Sequence, residues 1–232
     1  MEQEYPQQIQ LTQEQYAALA KAYLNKVYAW MAGSMLVTAA TAMYAMGSDK
    51  MLTWCMNNWL WLALGTLAII LIMAFGRRAL TANALAVLFI VFSAVEGLLL
   101  GPTLSMFTTQ SLGLTFACTA GMFGGMALFG ATTKRNLSGL GRTLFMMLIG
   151  LIIAGILNIF FGNGLTSLII SGVGVVVFAL FTAYDTQKIL NEGAWLTDPD
   201  QRAKGAIMGA VDLYLDFLNL FLYLLRFLGD RD

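Results

Sequence analysis

Five side chains in this sequence combine useful chemistry with apolar surroundings. Asp185 closes one apolar run, "FALFTAYDTQK", while Asp212, Asp216 and Asn219 lie inside another, "AVDLYLDFLNLFLYLLRF". Glu96 sits deep in "FSAVEGLLLGP". Ionisable groups are costly at membrane depth, so each carboxylate is a functional candidate. Two carboxylates brought together in low dielectric share a proton, which makes their joint ionisation a pH-dependent event. Once ionised, the same oxygens are hard ligands suited to Ca²⁺. The chain contains no histidine, so any pH sensing falls to its carboxylates.

The elements that must hold these groups follow from composition. The 232 residues are 59% hydrophobic and only 11% charged, too apolar for an ordinary soluble domain. Runs of about 18 or more apolar residues suit helices crossing a hydrocarbon core of roughly 30 Å. Seven such runs occur, near Tyr28–Met46, Trp59–Phe75, Leu80–Leu100, Leu112–Ala131, Thr143–Phe161, Leu165–Tyr184 and Ala206–Leu228. The expected fold is therefore an all-α membrane protein, a seven-transmembrane-helix bundle. It comprises a polar tail over residues 1–22 and a membrane domain over residues 23–232.

The remaining charges suggest an orientation. Lys21 and Lys26 precede the first span; Arg77, Arg78, Lys134, Arg135, Arg142, Lys188, Arg202 and Lys204 lie in alternate connections. The intervening connections hold almost no Lys or Arg, with Lys50 the exception. The positive-inside rule then predicts a cytoplasmic N-terminus and, with seven spans, an external C-terminus. The polar, acidic start "MEQEYPQQIQLTQEQ" predicts no cleavable signal peptide, leaving the first span as an uncleaved anchor. Cys55, expected in an outside loop, and Cys118, within a span, suggest neither a disulfide framework nor a metal site. Thirteen basic against thirteen acidic residues give no case for nucleic acid as a partner.

The last span is the unusual one. Asp212, Asp216, Asn219, Tyr223 and Arg226 recur every three or four residues and so fall on one narrow stripe. A helix apolar nearly all round, with one polar seam, suits the middle of a bundle and a seam that faces a cavity. A plainer role is hydrogen bonding between helices, but carboxylates one turn apart repel unless neutralised. The sixth and seventh spans run antiparallel, which brings either Asp212 or Asp216 near the level of Asp185; counting residues does not choose between them. Arg77 and Arg78 end the second span as topology anchors, and either could snorkel towards Asp185 as a latch. Gly97–Gly101 and Gly121–Gly125 fit the small-xxx-small pattern for close helix packing.

"AYDTQK", followed about thirty residues on by "LYLDFLNLFLYLLRFLG", resembles the Bax inhibitor-1 family in its bacterial branch. "GATTKRNLSGLG" adds to the likeness, which runs from about Tyr23 to Gly229. The resemblance implies a bundle whose seventh helix is central, wrapped by the other six. It further implies a pH-sensitive Ca²⁺ leak of the inner membrane with a di-aspartyl sensor between helices six and seven. On this sequence the sensor falls at Asp185 and Asp216, which would also bind Ca²⁺ transiently, and the latch at Arg78 or Arg77. Asp212 departs from the pattern as a third carboxylate where an uncharged residue is expected, and Glu96 stands where a small or neutral one would be unsurprising. Both, with Asn219, are candidates for the ion path. The resemblance implies that acid promotes the leak, whereas simple repulsion would open the pair at high pH.

Other functions fit less well. Intramembrane aspartyl proteases also oppose "YD" to an aspartate, but need G-x-G-D where this chain has Leu213, Tyr214, Leu215 and Asp216. They also need P-A-L, and none of Pro6, Pro102 and Pro199 is followed by Ala-Leu. A retinal pigment fails because the last span lacks a lysine for the Schiff base. An interaction protein modulating a membrane-bound protease or a stress response, through an unknown membrane partner, fits the family but would not need the aspartate pair. The expectation is thus a non-enzyme with no cofactor beyond Ca²⁺ or another cation as permeant, and the lipid bilayer as its surroundings.

Overall fold

The computed structural model describes residues 13–196 and 198–230. Among these, the chain forms eight helices: α1 (Gln13–Met46), α2 (Asp49–Asn57), α3 (Trp59–Gly76), α4 (Ala82–Leu104), α5 (Thr109–Thr132), α6 (Ser138–Phe161), α7 (Gly164–Trp195) and α8 (Pro199–Leu228). All except α2 are long and apolar enough to cross a bilayer, as the seven runs predict. Of the polar tail, residues 1–12 lie outside the described residues, and from Gln13 the chain is already helical.

The short helix α2 is a correction. The stretch around Cys55 is expected as a loop, but Ser48 caps it, accepting a hydrogen bond from the Met51 N–H, and Cys55 is buried beside Ala45 and Leu62. Nine residues are too few to stand out by periodicity alone. Helices α4, α5, α7 and α8 begin at legible caps. Thr81 and Thr108 accept from the N–H three residues on, Asn163 and Thr166 form a reciprocal capping box, and Asp198 precedes Pro199 at the first turn of α8.

Burial is uneven across the seven spans. Over an 18-residue apolar stretch of α8, 67% of the residues are buried, against 39% or less over the equivalent stretch of any other span. Its neighbours are α1, α4, α5 and α7, while α3 rests mainly on α4 and α6 on α7. Outer faces carry exposed Leu, Ile and Phe side chains such as Phe75, Phe145, Ile152 and Phe161. In water such a belt would be an aggregation surface; in lipid it is the solvated face.

Helices α1, α7 and α8 have 34, 32 and 30 residues. At 1.5 Å per residue they exceed a core of roughly 30 Å by about 15–20 Å. Much of the excess lies at the end carrying Lys21, Arg77, Arg78, Arg142 and Lys204, called here the basic end. There Arg202 donates to the carbonyls of Gly193, Leu196 and Leu19, and its guanidinium lies 5.3 Å over the Tyr23 ring. One side chain thereby caps α7, ties α8 to it and holds α1 against both.

Close approach depends on particular glycines. A Cβ on Gly97 would strike Thr41 and the Thr38 carbonyl, and one on Gly101 would come within 2.7 Å of the Ala45 methyl, so these two let α4 lie against α1. Gly121 and Gly125 match the same pattern, yet a Cβ on either meets nothing within 4 Å. Their spacing carries no packing role here. Gly97→Val should therefore destabilise the bundle by about 1–3 kcal/mol through overpacking, and Gly121→Ala should leave it unchanged. Thermal unfolding in detergent measures both; equal effects would refute the assignment.

Candidate functional site

The site is built on the antiparallel contact of α7 with α8. Tyr223 stacks on Phe178, with ring centroids 5.7 Å apart, beside Gly174, where a Cβ would meet the Tyr223 ring. At the basic end Ile189 packs over Gly209. Between these fixed points the register sets Asp185 opposite Asp216 and Lys188 opposite Asp212. The expected polar stripe of α8 thus faces α7.

Asp185 and Asp216 are both buried, at 8% and 4% exposure. The Asp216 carboxyl faces Asp185, with Asp212 and Lys188 as the next nearest charges. Its Oδ2 has no hydrogen-bond partner. Lys188 Nζ donates to Asp212 Oδ2 at 3.1 Å and lies 3.7 Å from Asp185 Oδ1. Three carboxylates and one ammonium therefore converge in one seam. Both Asp212 and Asp216 are near the level of Asp185, but in different roles: Asp216 is the buried opposite number, and Asp212 is half-exposed and held by lysine.

Above this seam, at the basic end, lies an open cavity of about 990 Å³. Lys188 and Asp212 line it, together with Arg77, Arg78, Glu192 and Lys204, whereas Asp185 and Asp216 do not. Lys188 and Asp212 thus form a threshold between the cavity and the buried pair. The expected ion pair from Arg78 or Arg77 to Asp185 is not formed: both arginines are exposed on the cavity wall, and Lys188 pairs with Asp185 instead. The reason is proximity. Lys188 stands three residues along the same helix, whereas the arginines lie in the turn just after α3, which itself rests mainly on α4. Among the described residues no group of three or more His, Cys, Asp or Glu is arranged to hold a metal.

Asn219 and Glu96 take other places. The Asn219 amide donates to the Leu215 carbonyl of its own helix at 2.8 Å. Glu96 lies near Tyr214, on the opposite side of α8 from Asp216, since positions 214 and 216 point about 200° apart. Tyr214 is fully buried and its ring meets Phe89 and Phe92 edge-on at 5.6 and 5.7 Å. Its hydroxyl is hydrogen-bonded to Thr38 Oγ1 at 2.7 Å, and Thr38 Oγ1 lies 3.1 and 2.9 Å from the Ser34 and Ser93 carbonyls, its possible acceptors. This network ties α8 to α1 and α4 and is separate from the aspartate seam.

Each residue of "AYDTQK" is used. Ala183 abuts Gly130 and Tyr184 abuts Gly141, at positions where a Cβ would clash. Thr186 faces Tyr28 of α1. Gln187 Oε1 accepts from the Leu137 N–H at 2.7 Å and its Nε2 donates to the Arg135 carbonyl at 2.9 Å. Gln187 therefore fixes the "TKRNLSG" turn between α5 and α6, so two stretches far apart in sequence meet in space. Lys188 and Gln187 were not singled out as site residues from the sequence; the three-residue step from Asp185 to Lys188 on a helix was the available signal.

The molecule is thus a seven-span membrane bundle with a buried aspartate pair in its last two helices. The chain matches the model of the family described as "Inhibitor of apoptosis-promoting Bax1" over residues 20–232. It belongs to the Bax inhibitor-1 family. Among its relatives, the Inner membrane protein YbhL of Escherichia coli is 40% identical over 214 residues, covering 90% of this chain and 92% of YbhL. An uncharacterized protein of Borreliella burgdorferi is 37% identical, covering 96% of this chain and 98% of its own. One of Deinococcus radiodurans is 33% identical, covering 97% and 98%.

A buried carboxyl oxygen without a partner costs about 1–3 kcal/mol, and replacement by an apolar side chain of similar shape recovers much of it. Replacing both members of the pair together, Asp185→Leu with Asp216→Leu, should accordingly raise the midpoint of thermal unfolding in detergent, whereas Asp216→Leu alone should not, because it leaves Asp185 buried without its partner. A lowered midpoint in the double variant would mean that the carboxyls are held by bonds that stabilise the fold.

Proposed function

We propose that this protein is a pH-sensitive cation leak of the bacterial inner membrane, permeable to Ca²⁺ and gated by Asp185 and Asp216. The observation that carries the reading is the unpartnered Asp216 Oδ2, buried against Asp185 beneath an open cavity. Such an oxygen calls for a proton or a cation. With one shared proton the two carboxyls attract and hold α7 to α8; without it they repel and must separate or take up a cation. The pair thereby biases a two-state contact between helices. The inner-membrane assignment follows the printed name of YbhL and the seven apolar helices.

The purified full-length chain in liposomes holding a Ca²⁺-sensitive dye tests this. Wild type should admit Ca²⁺ at a rate that changes across the neutral pH range, and Asp185→Asn or Asp216→Asn should each flatten that dependence, since no histidine can substitute. A pH profile retained in both variants would place the sensor elsewhere.

The basic end is proposed to be cytoplasmic, which places the cavity inside the cell and the C-terminus outside. A C-terminal reporter active only in the cytoplasm should be silent. Strong activity would reverse the orientation of the cavity and of the proposed gate.

A further inference from the structure

Lys188 is unexplained by a simple two-carboxylate sensor. It stands where cavity meets seam, with its ammonium 3.1 Å from Asp212 and 3.7 Å from Asp185. Side chains of both helices make this position: Asp185 and Glu192 share α7 with it, Asp212 comes from α8, and Arg77 and Arg78, in the turn after α3, line the same cavity. Behind it lies the unpartnered oxygen of Asp216. A lysine ammonium and a permeating cation would seek the same carboxylate oxygens, and two cations at one such site repel.

Charge balance sharpens the point. Three carboxylates with one shared proton and one ammonium leave a single negative charge in the seam. A divalent ion reaching Asp185 and Asp216 would overcompensate it unless the ammonium swings away or the proton leaves. The lysine stem is flexible and the side chain is 39% exposed, so its head can move into the adjoining cavity without unfolding a helix.

We propose that Lys188 is a tethered cation occupying the threshold of the carboxylate seam, so that an incoming cation must displace its ammonium from Asp212 to reach Asp185 and Asp216. This deepens the leak reading and rests on it for its physiological meaning. It assigns to Lys188 the setting of how readily, and with which charge, cations enter. Removing the ammonium leaves the negative charge of the seam open to solvent cations; arginine retains it.

Two readouts separate this proposal from the leak itself. In the first, the full chain in detergent is treated with dicyclohexylcarbodiimide, which modifies protonated carboxyls in apolar surroundings. Labelling of Asp185 and Asp216 is followed by peptide mass spectrometry as Ca²⁺ is raised. Lys188→Met should lower the Ca²⁺ needed for half-protection by about tenfold, whereas Lys188→Arg should match wild type. In the second, liposome flux should be faster in Lys188→Met and unaltered in Lys188→Arg. Lys188→Gln serves in place of Lys188→Met if the latter does not yield a folded monodisperse protein. Equal protection in all forms, or no protection in any, overturns the proposal, as does an equal shift in methionine and arginine variants, which would show a packing role. Shifted protection with no flux in any form, wild type included, would sink the leak reading while leaving Lys188 as a guard of the seam.

Discussion

Setting three carboxylates beside one another, two of them buried, is the constraint on which the rest depends. Asp185, Asp212 and Asp216 meet along the α7–α8 contact with a single lysine among them, and Asp216 has an oxygen that no protein group satisfies. A lone charge in such a place is strongly disfavoured, so the arrangement is tolerable only while protons, Lys188 or cations make up the balance.

The surrounding architecture holds the seam in register without sealing it. Tyr223 against Phe178 and Ile189 over Gly209 fix the sliding position of α8 on α7. Arg202 binds the turn between them and draws α1 alongside. Gln187 ties the same stretch of α7 to the α5–α6 turn. Helix α3, by contrast, rests mainly on α4, and Arg77 and Arg78 of the turn that follows it line the cavity wall.

Helix α8 works as two faces. One presents Asp212, Asp216 and Tyr223 to α7; the other presents Tyr214 to Thr38 of α1 and the aromatic rings of α4. Glu96 belongs to the second face, which removes it from the seam even though its depth in the sequence suggested a shared path. Hydrogen bonds of the Tyr214 kind anchor the helix from behind, so movement at the carboxylate face need not loosen the whole core.

What the sequence determined by itself was the set of spans, the alternation of basic connections and the family. Each of these rests on local composition: long apolar runs, a clustering of Lys and Arg in alternate loops, and the contiguous "AYDTQK" and "LYLDFLNLFLYLLRFLG" stretches. It also placed the polar stripe of α8, because helical periodicity is a property of one segment. Tertiary structure alone decided which aspartate meets Asp185, that Lys188 rather than Arg77 or Arg78 pairs with it, that Glu96 lies behind α8, and that Gly97 packs while Gly121 does not. These depend on the axial register and rotation of one helix against another. Both are set by side chains distant in sequence, and a shift of a single turn, about 5.4 Å, would have exchanged Asp212 for Asp216.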